Sequence, residues 1–177
     1  MRPERIVSNV DEDAISAPTV ASLVQKLAEL KAHDVADRLV GEALVLGCDS
    51  LLEFDGEPLG KPSTIEDARS RWRRMRGRSG VLHSGHCLVD RGRGESGETT
   101  STTVHFGEVS DEEIELYLTT GEPSNVAGAF TIDGFGGWFI DGVEGDPHTV
   151  VGLSLPLLRR LLATHGYSLR DLGYPSA

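Results

Sequence analysis

The 177-residue sequence lacks several features that would have decided its class at once. No apolar run approaches the ~20 residues of a membrane-spanning helix. The opening "MRPERIVSNVDEDA" has no apolar core of the kind a secretory leader carries. There are only two cysteines, Cys48 and Cys87, both in apolar stretches. They read as reduced core residues, and the expectation is a cytoplasmic protein. Positive charge is also short: the formal net charge is -11. That excludes sequence-independent binding of nucleic-acid polymers, which needs a basic face. It leaves a nucleotide ligand open, because a metal ion and a few placed lysines can hold phosphates on an acidic protein.

Two apparent motifs lack a necessary part. In "FDGEPLGKPST" the glycines Gly56 and Gly60 stand one residue too close for a P-loop, and Pro62 occupies the place of its Ser or Thr. Lys61, between Gly60 and Pro62, is nonetheless rigidly placed; either it is an exposed turn residue or it meets a ligand. In "HSGHC", His83 to Cys87, there is no second Cys/His pair to complete a zinc site. As a strand it would put Leu82, Ser84 and His86 on one face and His83, Gly85 and Cys87 on the other.

What is present reads as a single domain of 177 residues that mixes strands and helices, an α/β chain. "RIVSNV" reads as a short strand before the acidic group Asp11, Glu12 and Asp13. Val20, Val24, Leu27 and Leu30 recur at helical spacing between Thr19 and Leu39. "EALVLGC" reads as a strand buried on both faces, and "LLEF" carries it into a turn. Ser63 and Glu66 suggest a capping box, as do Ser110 and Glu113. "GVLHSGHCLVD" and "ETTSTTVHFGEV" read as paired strands. A glycine-broken segment follows, then a last helix around "PLLRRLLATHG". The arginines of "ARSRWRRMRGR" cover most of a helix circumference. They read as a solvated face, with an anion or partner surface as the alternative.

Four residues stand out for chemistry. Asp49 ends the apolar run and either begins a turn or serves a ligand beyond a strand end. Lys31 has its base on the apolar face of its helix, where it either snorkels to water or binds an anion. Glu12 belongs to an acidic run whose default is a solvated loop. With Lys61 they make two carboxylates and two lysines, a set suited to a metal-bound polyphosphate if they converge.

The ordered stretches "VDED", "LAELKA", "GCDSLL", "LGKPST", "GRSGVLHSGH", "TTVHF", "YLTTGEP", "VAGAFTIDG" and "VVGLSLPLL" closely resemble the Maf family of nucleoside triphosphate pyrophosphatases. The match runs over nearly the whole chain. The resemblance implies a mixed, strongly curved sheet flanked by helices, related to the inosine triphosphatase-like enzymes. It implies hydrolysis of nucleoside triphosphates to monophosphates and pyrophosphate, a divalent cation (Mg²⁺ or Mn²⁺) and commonly a homodimer. By the same resemblance Asp49 is the general base, Glu12 lies near the metal with Asp49, and Lys31, Lys61, Ser50 and Asp133 meet substrate. Val126 stands where the family commonly has Lys, Phe130 where it has Tyr, and Asp133 where pyrimidine-specific members have Gln. An acid in place of an amide changes the hydrogen-bond pattern offered to a base. The family's S-x-S-P-R-R motif, with the strand and helix around it, has no counterpart in the sequence. The expectation is therefore a domain without its first strand and helix. The alternative to an enzyme is a catalytically impaired nucleotide-binding or protein-interaction module on the same scaffold.

Overall fold

The computed structural model describes residues 3–173. Their centre is a five-stranded sheet in the order β2-β1-β3-β4-β5: β1 (Leu44–Phe54), β2 (Glu57–Leu59), β3 (Ser79–Asp90), β4 (Gly94–Phe106) and β5 (Ile140–Glu144). The helices are α1 (Val20–Arg38), α2 (Ile65–Met75), α3 (Asp111–Thr119), α4 (Pro147–Val151) and α5 (Leu155–Thr164). The α/β class with helices flanking a sheet is as expected. Every strand pairing among the described residues is antiparallel, so no parallel partner makes this sheet mixed.

α1 forms where the apolar spacing places it. Val20, Val24 and Leu27 are buried with Ala28, Ala32, Val35 and Ala36, while Leu30 is half-buried. Thr19 caps its first turn by accepting from the Ser22 N–H. The helix lies unusually close to the sheet, because the strands beneath it carry glycine. A Cβ at Gly47 would lie 2.2 Å from the Ala28 carbonyl oxygen, and one at Gly85 2.3 Å from that of Val24. β1 is covered on both sides, as its continuous apolar run requires. Val45 packs with α1, and Leu44 and Leu46 pack with α5. Asp55 and Gly56, both at positive φ, form the tight turn into β2. A separate aromatic core joins Trp72 of α2, Phe106, Tyr117, Phe130 and Phe139.

Three local expectations need correction. Residues 5–10 form no strand; they are tied to α1, with Asn9 N–H donating to Asp34 and Arg38 donating to the Val7 carbonyl. Thr64, not Ser63, caps α2 and accepts from Asp67 N–H. Ser63 is displaced from that role because its own N–H donates to Asp67. Asp49 does not end its strand but lies in the middle of the 11-residue β1, since pairing with β3 carries the strand past it to Glu53 and pairing with β2 to Phe54.

That pairing covers only part of the edge. β2 meets β1 at Leu52–Phe54, whereas β3 runs along Leu44–Glu53 on the other side. Among the described residues no strand pairs with Leu44–Leu51 on the β2 side. Asp49 thus sits on a stretch of strand that is half open.

Candidate active site

Lys31, on α1, brings two distant carboxylates together. Its Nζ donates to Asp49 Oδ1 at 2.6 Å and lies 2.7 Å from Glu12 Oε1. The three side chains form a gradient from interior to surface: Asp49 is 8% exposed, Lys31 19% and Glu12 52%. Asp49 points to the α1 face because it shares the face of Gly47, two residues before it. The absence of a Cβ at Gly47 and Gly85 lets α1 approach closely enough for the Lys31 chain to reach it.

Burial dominates the protonation of Asp49. It raises the carboxyl pKa above its usual value, although hydrogen bonding to Lys31 and the charges of Lys31 and Lys61 act the other way. For Lys31 burial acts to lower the pKa, but hydrogen bonds to Asp49 and Glu12 outweigh it and the ammonium is held. Asp49 Oδ2 is buried and has no hydrogen-bond partner. A carboxylate oxygen buried without a partner is costly and calls for a proton, a water or a cation. Among the described residues no group of three or more His, Cys, Asp or Glu is placed to hold a metal by itself. An ion of the Mg²⁺ type takes one or two carboxylates and completes its shell with phosphate and water. Glu12 and Asp49, which Lys31 brings together, are the residues that could hold one.

Ser50 stands apart from this group. It projects from the opposite face of β1, where its Oγ lies 2.6 Å from Ser84 Oγ. The Ser84 hydroxyl donates to the Thr149 carbonyl at 2.8 Å, so its proton is committed and it accepts from Ser50. As the side chains stand, the Ser50 hydroxyl donates to Ser84.

Asp133 is exposed on a glycine-rich segment between Phe130 and β5. Glu122 organises that segment, a role the sequence did not suggest. Its carboxylate accepts from the hydroxyls of Tyr117 and Thr131 and from the N–H groups of Phe135 and Gly136. Partial burial acts to raise its pKa, but those four donors outweigh it and bring it down to about 2. The folded value lies below the unfolded value of 4.5. The stabilisation is thus fully present above pH 4.5 and is lost as pH falls from there towards 2. Glu122→Gln should lower Tm by about 5–10 °C at pH 7, since hydrogen bonds to a charged group are the stronger kind. Thermal scans from pH 7 down to pH 3 check this, and a Tm gap that stays constant with pH would contradict it.

Among the described residues the arginines of the arginine-rich stretch are paired with acids rather than left free for an anion. Arg69 pairs with Glu66 and Glu115, Arg73 and Arg76 with Asp111, and Arg74 with Asp55 and Glu57. Arg78 pairs with Asp55 and covers the Phe54 ring. These pairs staple α2 to the start of α3 and to the β1–β2 turn. His83 and His86 are likewise spoken for. His83 lies between Glu53 and Ser101, and His86 between the Ser84 carbonyl and the Ser154 N–H. Both cysteines are free thiols, Cys87 buried and Cys48 half-buried, and desolvation pushes Cys48 up to about 12 and Cys87 to about 11.

Residues 1–165 match the family model described as Maf-like protein. The chain belongs to the Maf family. A Maf relative from Salinispora tropica, named nucleoside triphosphate pyrophosphatase, is 59% identical over 168 residues, which cover 92% of this chain and 74% of the relative. One of the same name from Streptomyces coelicolor is 53% identical, over 99% of this chain and 86% of its own length. A third, from Mycobacterium marinum, is 50% identical over 96% of this chain and 86% of its own length. No helix among the described residues is long and apolar enough to cross a membrane.

Proposed function

We propose that this Maf chain hydrolyses nucleoside triphosphates to the monophosphate and pyrophosphate, with Asp49 as general base and a divalent cation at Asp49 and Glu12. The observation that supports it most is the buried Asp49 carboxylate, with one oxygen on Lys31 and the other without a partner. The names of the Maf relatives point the same way.

In this reading a water attacks the α-phosphorus, the bond to the bridging oxygen breaks, and pyrophosphate leaves. The free oxygen of Asp49 takes the water's proton; a carboxyl raised by burial is a stronger base than an exposed one. Lys31 holds the other oxygen and so fixes the plane of the carboxylate. Lys31 and Lys61 offset negative charge on the phosphates as it grows in the transition state. When bound, Mg²⁺ or Mn²⁺ would neutralise phosphate charge between Glu12 and Asp49.

A panel of nucleoside triphosphates with Mg²⁺ or Mn²⁺, assayed separately for pyrophosphate and for phosphate, tests this directly. Release of phosphate alone would make the chain a phosphatase. Tight nucleotide binding without release would make it a binding module.

Two substitutions sharpen the reading. Lys61→Ala should cut kcat/KM by about tenfold or more, with part of the loss in kcat, because the charge it offsets develops in the transition state. Unchanged steady-state kinetics would return Lys61 to an ordinary turn residue. Asp133→Gln should shift preference towards UTP or dTTP, since an amide presents both a donor and an acceptor to a base. An identical rank order of nucleotides before and after the change would remove Asp133 from base recognition.

A further inference from the structure

Lys61 is flanked by residues of opposite stiffness. Pro62 fixes its own φ and confines Lys61 to extended backbone, while Gly60 restrains nothing by itself. The restraint comes from one turn of α2, which grips both ends of the loop. At one end Arg71 Nη1 donates to the Gly60 carbonyl at 2.6 Å, and the Gly128 N–H donates to the same oxygen at 3.1 Å. At the other end Ser63 N–H donates to Asp67 Oδ2 at 2.9 Å. The two gripping residues lock each other. Arg71 Nε donates to Asp67 Oδ1 at 2.9 Å and Nη2 to Oδ2 at 2.8 Å. The result is a closed ring with Lys61 at its outer point. Arg71 is well covered, at 14% exposure.

The lysine held this way is itself uncommitted. Every arginine of α2 has an acidic partner, whereas Lys61 Nζ has no hydrogen-bond or ion-pair partner among the described residues. Its charge nevertheless reaches Asp49. A heavily fastened backbone under a free ammonium suits a group kept ready for a ligand.

We propose that the Asp67–Arg71 ion pair is a positioning device, which holds the Gly60–Ser63 backbone so that the Lys61 ammonium stays aimed at a phosphate in the Asp49 site. The inference rests on the phosphate role given to Lys61 above. The device needs arginine: two N–H groups form the fork and a third reaches the carbonyl, a geometry lysine cannot reproduce. A plain i,i+4 helix pair would add little to stability and leave ligand binding unchanged.

The test is calorimetric binding of inorganic pyrophosphate with Mg²⁺ to the parent, Arg71→Ala, Arg71→Lys, Lys61→Ala and the Lys61→Ala/Arg71→Ala double variant. Arg71→Ala and Arg71→Lys should each weaken binding by about tenfold, the order expected when a charged group is misplaced by a fraction of an ångström to one ångström. In the Lys61→Ala background the Arg71→Ala loss should shrink to about twofold or less, because the two residues then act as one unit. Equal losses with and without Lys61 overturn the proposal, as does pyrophosphate affinity that ignores Lys61. Amide hydrogen exchange at Gly60–Ser63, which needs no ligand, should speed up in Arg71→Lys; unchanged exchange also overturns it. A chain that binds pyrophosphate through Lys61 yet releases none from any nucleotide sinks the pyrophosphatase reading and leaves the positioning role standing.

Discussion

Asp49→Asn is expected to lower kcat by about 10²–10⁴-fold, the range lost when a positioned general base is removed. The amide keeps the shape of the carboxylate but neither takes a proton nor holds a cation in the same way. The fold should survive. The carboxylate is buried with one oxygen unpartnered, so the folded chain already bears the cost of that charge. A raised folded pKa means that the ionised form opposes folding above that pKa, and the opposition is relieved as pH falls below it. The asparagine variant removes the charge, and its Tm should change little at neutral pH, with the loss of the Lys31 partner offsetting the gain. The same raised pKa should move the acid limb of the parental kcat/KM profile above the ordinary Asp value of 3.8. A variant with parental kcat on its best nucleotide would refute the role of Asp49. A variant that fails to fold calls for Asp49→Ser, which removes the buried charge and leaves a small hydroxyl.

An N-terminal extension that supplies a strand and an S-x-S-P-R-R turn is expected to raise Tm and turnover together. The stability gain follows from β1. Its Leu44–Leu51 stretch has a strand on one side only, so an added strand would pair backbone groups now left to water. About 1–2 kcal/mol from such pairing corresponds to a rise of several degrees for a chain of this size. The catalytic gain follows from charge. Each charge-assisted bond from an arginine to a phosphate contributes about 1.5–3 kcal/mol, or about ten- to a hundredfold in kcat/KM if made in the transition state. The two readouts separate the causes. Changing both arginines of the added motif to alanine should abolish the rate gain and keep the rise in Tm. An extension that changes neither would show that the β1 edge does not accept a strand and that the phosphates are held elsewhere.

Much of the fold was legible in local patterns. α1 follows from Val20, Val24 and Leu27, and the β3–β4 hairpin from two strand-like runs around a polar tip, although β4 begins already at Gly94 inside that tip. The cap of α2 was misplaced by one residue, since Ser63 and Thr64 are equally good caps and only the Asp67–Arg71 lock distinguishes them. The meeting of Glu12, Lys31 and Asp49 was half legible. A lysine on an apolar helix face announces a buried partner, but which carboxylate it finds depends on how α1 lies across the sheet. The orientation of Ser50 was available: adjacent residues of a strand face opposite ways, so Ser50 and Asp49 point to different faces of β1. Nothing local marks Glu122 as a hub, because its four donors come from α3 and from a segment that follows it in the chain.

The glycines under α1 turn the helix into a ruler. With Gly85 bare, the Val24 carbonyl rests where a methyl carbon would come within 2.3 Å of it. An ordinary carbon–oxygen contact needs about 3.3 Å, so a single methyl group there would lift the helix by about an ångström. That displacement exceeds the tolerance of a charge-assisted hydrogen bond, whose useful range spans only a few tenths of an ångström. The length of the Lys31–Asp49 bond is therefore written in residues that carry no functional group, and the tuning of the carboxylate can be altered from the floor of the sheet without touching either partner.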